Sequence, residues 1–464
     1  MIGRIVVASL LCFGALSARA QTCVPFTDVA ANDPFCANVQ WMYNRAITLG
    51  CTPTAYCPAQ FVRRDQMAAF MNRLGNVTFQ QGGNAFGGTA VLGTTDANPV
   101  EIRVDGTAAM RFVPDDDSPS IVGGHVANAV TAGVRGAVIG GGGVVADPEF
   151  STAAPNRVTD IFGSVAGGAA NRAGNDAGPV NDAVFAFVGG GLLNIAAANF
   201  TVVGGGLSND ATAPGSTIGG GAGNLASGQT ATVGGGNNNI ASGLWSTVAG
   251  GNGNTASGPL SAVGGGSNNV ASGERSVVPG GSGSVAAGNY SFAAGHDARA
   301  NFNGCFVYAD ASSGVNPTSC FAPNEIVIRG LGGFYFWTFG TSDDTYFGAR
   351  LAPGTGAWAT YSDRNGKREI TPVDALAVLG KVVALPISTW QWKGESGAVR
   401  HMGPMAQDFH AAFGLGDTDT QIVTVDVDGV ALAAIQGLNT KVEAQAREID
   451  ALKRLVERLL DRVR

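Results

Sequence analysis

Ser246-Thr247-Val248-Ala249-Gly250-Gly251-Asn252-Gly253-Asn254-Thr255-Ala256-Ser257-Gly258 is one unit of the repeat that decides the fold. Its aliphatic residue returns every 15 positions, at Val188, Val203, Ile218, Val233, Val248, Val263 and Val278, and Ala293 keeps the register. Six positions after each comes an asparagine, from Asn194 to Asn269, with Ser284 last; eight positions after comes an alanine, from Ala196 to Ala286. A fixed period means that every unit solves the same packing problem against its neighbours, as in a solenoid. One unit has room for two short strands and two tight turns. Alternation along Ser-x-Val predicts Val inward and Ser outward. The glycine pairs supply turn dihedrals, and the asparagines can satisfy turn backbone groups and ladder with their copies. Eight such coils span about 38 Å at one strand spacing each.

Composition agrees with a repetitive β architecture. Glycine numbers 70 of 464 residues, roughly twice the average share of about 7%. It does not fall every third residue, which excludes a collagen helix. Charged residues are 14%, hydrophobic residues 45% and the net charge −7. That balance excludes a disordered chain and gives no basic footprint for nucleic acid. The glycine triplets do not read as a phosphate loop, because Asn-rich turns follow them instead of a helix and a lysine. No cofactor and no metal are expected.

The first segment reads as an address. Arg4, an apolar run from Ile5 to Leu16 and Ala18-Arg19-Ala20 form a secretory signal peptide, residues 1–20, cut after Ala20. Cys12 lies in the apolar run, and Ser9-Leu10-Leu11 before it does not suit lipidation. No later apolar run is long enough to span a bilayer. Six cysteines then remain: Cys23, Cys36, Cys51, Cys57, Cys305 and Cys320. An even number in an exported chain favours disulfides, and nearest-neighbour pairing gives 23–36, 51–57 and 305–320. The first four have no CxxC pair and no histidine among them, which argues against zinc.

Residues 21–75 are glycine-poor and periodic. Val39, Met42, Tyr43 and Ala46 predict one helix face, and Met67, Phe70, Met71 and Leu74 a second. Phe26-Thr27-Asp28-Val29, Trp41-Met42-Tyr43, Ile47-Thr48-Leu49-Gly50-Cys51 and Arg63-Arg64-Asp65-Gln66-Met67-Ala68-Ala69-Phe70 resemble a single S-layer homology motif. The resemblance implies helix-loop-helix geometry and affinity for an anionic cell-wall glycan, with Arg64 at the matching arginine of the glycan motif and Gln66 in place of its acid.

A β linker follows over 76–118, with a hairpin expected around Asp105-Gly106. Asp115-Asp116-Asp117 reads as a solvated loop rather than a cation site. The repeats proper, 119–300, resemble the left-handed parallel β-roll of YadA-like trimeric adhesin heads. Weaker copies at Val122-Gly123-Gly124, Ile139-Gly140-Gly141-Gly142 and Val165-Ala166-Gly167-Gly168 imply insertions such as 169–187. A coil so thin buries little apolar surface alone, so a homotrimer is expected. A β-rich connector spans 301–357.

Composition changes near residue 358. Tyr361-Ser362-Asp363-Arg364-Asn365-Gly366-Lys367 places a hydroxyl and an amine five residues apart across a turn. Trp390-Gln391-Trp392-Lys393, His401-Met402-Gly403-Pro404-Met405-Ala406-Gln407-Asp408 and Val427-Asp428-Gly429-Val430-Ala431-Leu432 follow in order. Residues 358–464 resemble the endosialidase-type intramolecular chaperone domain of phage tail spikes. The resemblance implies a domain that helps a β-rich trimer fold and then cuts itself off. Ser362 and Lys367 take the positions of its catalytic dyad, and the Tyr361–Ser362 bond that of its cleavage site. Gly366 stands where the family often has a bulky aliphatic residue. A serine needs a base to act as nucleophile, and burial of a lysine in an assembled trimer disfavours its charged form. His401 reads as structural, and Asp426 and Asp428 as a calcium-loop fragment lacking its other ligands.

Ile435, Val442, Ile449, Val456 and Val463 at a positions, with Leu438, Gln445, Leu452 and Leu459 at d positions, predict a coiled coil from about residue 430. β-Branched a residues with leucine at d favour two strands by themselves; the roll and the chaperone resemblance favour three. The sequence therefore reads as an exported, mainly β, homotrimeric fibre or adhesin, a self-cleaving serine endopeptidase toward itself. Its expected partners are two copies of itself and a cell-wall glycan or host-surface ligand. The opposing readings are a permanent structural trimer without cleavage and a glycan hydrolase, which lacks a convincing carboxylate pair. No C-terminal membrane barrel is legible.

Overall fold

The computed structural model describes residues 23–76, 89, 91–144, 154–312, 316–340 and 346–463. The signal peptide and Cys12 lie outside them. The chain divides into two units, residues 1–100 and residues 101–464.

In the first unit, helix α1 spans Cys36–Asn44 and helix α2 spans Arg64–Asn76. α1 stops before the expected Ala46, which takes a left-handed φ of 55°. Phe26, Val29 and Val39 are buried together, and Phe26 packs edge-on to Tyr43 at 5.3 Å. Asp28 ties the loop that follows α1: its carboxylate accepts from the backbone N–H of Tyr56 at 2.7 Å and of Cys57 at 2.6 Å. The Tyr56 bond is foremost in holding the Asp28 carboxyl below the usual range. Cys23 with Cys36 and Cys51 with Cys57 stand in disulfide geometry.

The second unit is mainly β and is dominated by a β-solenoid of about twelve turns. Its two long sheets have 16 and 12 strands. Through the regular middle of the stack each turn gives a two-residue strand to both sheets, in parallel register with the turn before and after, as in Val233 beside Val248 and Ala241 beside Ala256. Val188, Val203, Val233 and Val248 are fully buried, and so are Ala196, Ala211, Ala226 and Ala241. Each such valine contributes about 2 kcal/mol by leaving water.

The serines correct the sequence expectation. Ser246 is as buried as Val248, whereas Thr247 between them is exposed. Two residues separate Ser from Val, and a period of two places both on one face. Ser276 and Ser291 turn their hydroxyls to the carbonyls of Gly273 and Gly288.

The asparagines form a continuous internal ladder. Asn224 donates from Nδ2 to the carbonyls of Gly220 and Gly236, and its Oδ1 accepts from the backbone N–H of Asn239 at 3.0 Å. The pattern repeats from Asn194 to Asn269, so each asparagine satisfies backbone groups that the corner removes from the sheets. The opposite corner forces non-glycine residues into left-handed dihedrals, including Phe200, Trp245, Leu260 and Tyr290 with φ between 55° and 58°. Hydrogen bonds to the neighbouring turn hold them there, as from Trp245 N–H to the Gln229 carbonyl.

The stack starts earlier and ends later than the strict period suggests. The hairpin strands Val100–Val104 and Thr107–Val113 join the first sheet at Ser120–Gly123. At the other end Phe306–Ala309 and Ile326–Arg329 continue it past residue 300, with Val307 and Ala309 buried in the same pattern. The sequence hides these turns because their lengths depart from 15. The expected insertion over 169–187 is shorter, because Arg172–Ala173 is itself a strand. From Asn171 to Asn194 the step is 23 residues rather than 15. Asp115 caps its own turn by accepting from Asp117 and Ser118 N–H groups. Cys305 and Cys320 stand in disulfide geometry inside the last turns.

After the solenoid, Phe334–Gly340, Tyr346–Leu351 and Trp358–Thr360 form a small antiparallel sheet. Helices α3 (Ala375–Ala384), α4 (Ala406–Phe413) and α5 (Thr424–Val463) complete the chain. Asp374 caps α3 by accepting from Leu376 and Ala377 N–H groups, and Gly414 ends α4 with a left-handed φ of 64°. Ala433, Ala434 and Gly437 form the small-residue face of α5, and the α3 backbone approaches Gly437 closely. Asp426 and Asp428 lie within α5, so they are not part of a calcium loop. No described helix is long and apolar enough to cross a membrane.

Candidate functional site

The strand Trp358–Thr360 delivers the chain to Tyr361 and Ser362, where sheet pairing ends. Asp363 then turns it. Its carboxylate accepts from Asn365 N–H at 3.0 Å and opens a single 3₁₀ turn, Arg364–Gly366, closed by Lys367 N–H on the Arg364 carbonyl. The turn folds the Lys367 side chain back over Ser362, and Nζ meets Oγ at 2.5 Å. Both side chains are exposed in the single chain. A hydroxyl in contact with an amine is the minimal pair for a serine nucleophile with a lysine base.

Sequence spacing put Ser362 and Lys367 on the same loop, but not in contact. Asp363 supplies that contact and was not singled out. Its signal was present as Asp-x-Asn, the pattern of a side chain capping the backbone two residues on. Gly366 has no positive φ, so the turn does not depend on glycine there.

His401 is engaged elsewhere. It lies on the strand His401–Gly403, paired with Ser388–Trp390, and its Nε2 is 2.9 Å from Glu395 Oε1. Its ring lies 4.7 Å from that of Trp390, which meets Trp392 edge-on at 4.8 Å. The His401 contact is the main cause that lowers the Glu395 carboxyl. Sequence reasoning did not pair Glu395 with His401, since five residues of loop separate them.

In the first unit Arg64 is exposed at the start of α2. Gln66 reaches back with Oε1 to accept Arg63 N–H at 2.9 Å, which is half of a capping box. The side chain that replaces the expected acid thus serves the helix end. Among the described residues no cluster of three or more His, Cys, Asp or Glu could hold a metal ion.

Residues 362–414 match the family described as the chaperone of endosialidase, peptidase S74. The match begins at Ser362 and takes in Lys367, α3, the Trp390–His401 hairpin and α4. No curated protein matches the chain.

Proposed function

We propose that this chain is an exported, homotrimeric fibre protein of the tail-spike or adhesin kind. Its C-terminal region assembles the trimer and then cuts the Tyr361–Ser362 bond. The single observation that carries this reading is the 2.5 Å contact between Lys367 Nζ and Ser362 Oγ, set at the first residue of the chaperone-family match.

The chemistry follows from that contact. Ser362 Oγ attacks the carbonyl carbon of Tyr361 while the neutral Lys367 amine takes the hydroxyl proton. The amine returns the proton to the departing α-nitrogen of Ser362, and the C–N bond breaks. This leaves the Tyr361 acyl group as an ester on Ser362 Oγ. Water then hydrolyses the ester, freeing the Tyr361 carboxylate and a fragment that begins at Ser362. In this reading partner chains enclose the exposed Lys367 amine when the trimer forms. Cutting therefore waits for assembly.

The trimer reading is supported by α5. Its a and d residues Ile435, Leu438, Val442, Ile449, Leu452 and Val456 are each at least half exposed in the single chain. A heptad seam of this kind is completed by further copies. The YadA-like reading of the roll is supported by its period and its in-register stack. The S-layer-like reading of 21–75 is supported by the helix-loop-helix of the first unit, with Arg64 toward a wall glycan. Export carries the three oxidised cysteine pairs. A permanent trimer without cleavage is the competing reading, since Ser362 and Lys367 are solvent-accessible in one chain.

Intact mass of the purified chain decides between them. A fragment starting at Ser362 is expected, and Ser362→Ala and Lys367→Met should both stay whole while remaining trimeric. A wild-type chain that stays uncut, or a Ser362→Ala chain cut at the same bond, overturns the dyad.

A further inference from the structure

The two sheets of the solenoid differ in what they turn outward. On the second sheet the outward row carries Arg157, Arg172, Asp210 and Arg299 among aliphatic residues such as Ile240 and Val270. Asp210 lies between Ile195 and Leu225 in register, and burial raises its carboxyl above the usual value. On the corner, Glu274 and Arg275 pair with each other, and Arg275 also reaches Tyr290.

On the first sheet the corresponding row holds no charge. It starts at Ile121 beside Val138, passes Phe187, Thr232 and Val277, and ends at Phe306 and Ile326. In its last turns it widens into an apolar patch. Phe292 and Phe306 stack with centroids 4.6 Å apart, and Tyr308, Ile326 and Ile328 are 44%, 73% and 45% exposed. A contiguous exposed apolar patch marks an interaction surface.

We infer that the first sheet's outward face is where the three copies of this chain meet, and that the second sheet and its charges face solvent; this rests on the trimer reading above. The occupant is a second copy because the same chain carries the unfilled α5 seam. Copies joined by α5 hold each other's solenoids at an effective concentration in the millimolar range. A modest apolar face is then enough to close the contact. Turning the second sheet inward would instead desolvate Asp210, the pairs of Arg157 and Arg172 with Asp176 and the pair of Arg299 with Asp297, a penalty of several kcal/mol per ion that pairing has to repay.

The test is sedimentation equilibrium of the full chain carrying Ser362→Ala, so that cutting does not intervene. Ile326→Arg is expected to raise the dissociation constant of the trimer at least tenfold. Thr255→Arg, on the second sheet, is expected to leave it unchanged. Circular dichroism checks that the solenoid is intact, and Phe306→Ser serves if Ile326→Arg does not fold. A trimer weakened by Thr255→Arg but not by the first-sheet variants overturns the face assignment and leaves the trimer standing. A parent chain that is monomeric at every concentration overturns the trimer reading, and the face assignment with it.

Discussion

The solenoid and the terminal helix meet the same requirement, burial of apolar surface, in opposite ways. The solenoid buries its Val, Ala, Ser and Asn rows within one chain, and its ladder leaves few backbone groups for others. Helix α5 is 40 residues long, about 60 Å at the usual rise, yet among its residues only Ala433, Ala434 and Gly437 are buried. One region finishes its core with its own neighbouring turns; the other leaves its heptad seam exposed in the single chain. Long parallel assemblies fold slowly, since each contact closes a loop before it contributes. In the trimer proposed above, a helix that brings the copies together would remove part of that delay.

This contrast can be broken at three points. The largest effect is expected from Asn224→Leu. It orphans the carbonyl of Gly220 and the N–H of Asn239 and takes one of two donors from the Gly236 carbonyl, which keeps the Ala222 N–H, at about 1–3 kcal/mol for each group left unpaired. Because these groups pair within one chain, the difference between variant and parent in denaturant unfolding should be the same at every protein concentration. A difference that changes with concentration would show that the asparagine row also leans on partner chains.

Gly437→Ala comes next. A Cβ there would stand 2.2 Å from the Ala375 carbonyl oxygen and 3.1 Å from Leu379 Cβ. Overpacking of this kind costs about 1–3 kcal/mol. It should loosen α3 from α5 and leave the solenoid's own unfolding untouched. Hydrogen exchange, followed separately in 375–384 and in the solenoid, reads the difference, and equal changes in both would join the regions that the comparison separates.

The smallest effect is electrostatic and differs in sign between two turns. The Leu331 N–H foremost, with Ser312 and Arg329, lowers the Asp310 carboxyl to about 2. Its contribution is present above the unfolded value and is lost as the pH falls through the folded one. Burial raises Asp210, whose contribution is present below the unfolded value and lost as pH rises. At pH 7, Asp310→Asn should therefore lower the melting temperature and Asp210→Asn should raise it slightly. The Asp210 difference should close as the pH falls below about 4. Shifts of the same sign would contradict these environments.

Much of this was legible in the sequence. The 15-residue step named the inward valines and alanines, the asparagine ladder and the parallel stack, because each turn repeats one environment. The irregular turns were not legible. Phe306–Ala309 and Ile326–Arg329 stack like the rest, but loops of unequal length hide their register. The candidate site was legible as Ser362 and Lys367, while Asp363 as the cap that joins them and Glu395 as the partner of His401 were not.

The linear order of residues by itself determined the repeat, the heptads and the residue types at the candidate dyad, since each depends only on spacing along the chain. Tertiary structure alone decided that the serines turn inward and that a 3₁₀ turn brings an amine onto a hydroxyl. It also decided that charge leaves one face of the stack and stays on the other. Those outcomes depend on which side of a strand faces the neighbouring turn and on where a short loop closes, and three-dimensional packing sets both.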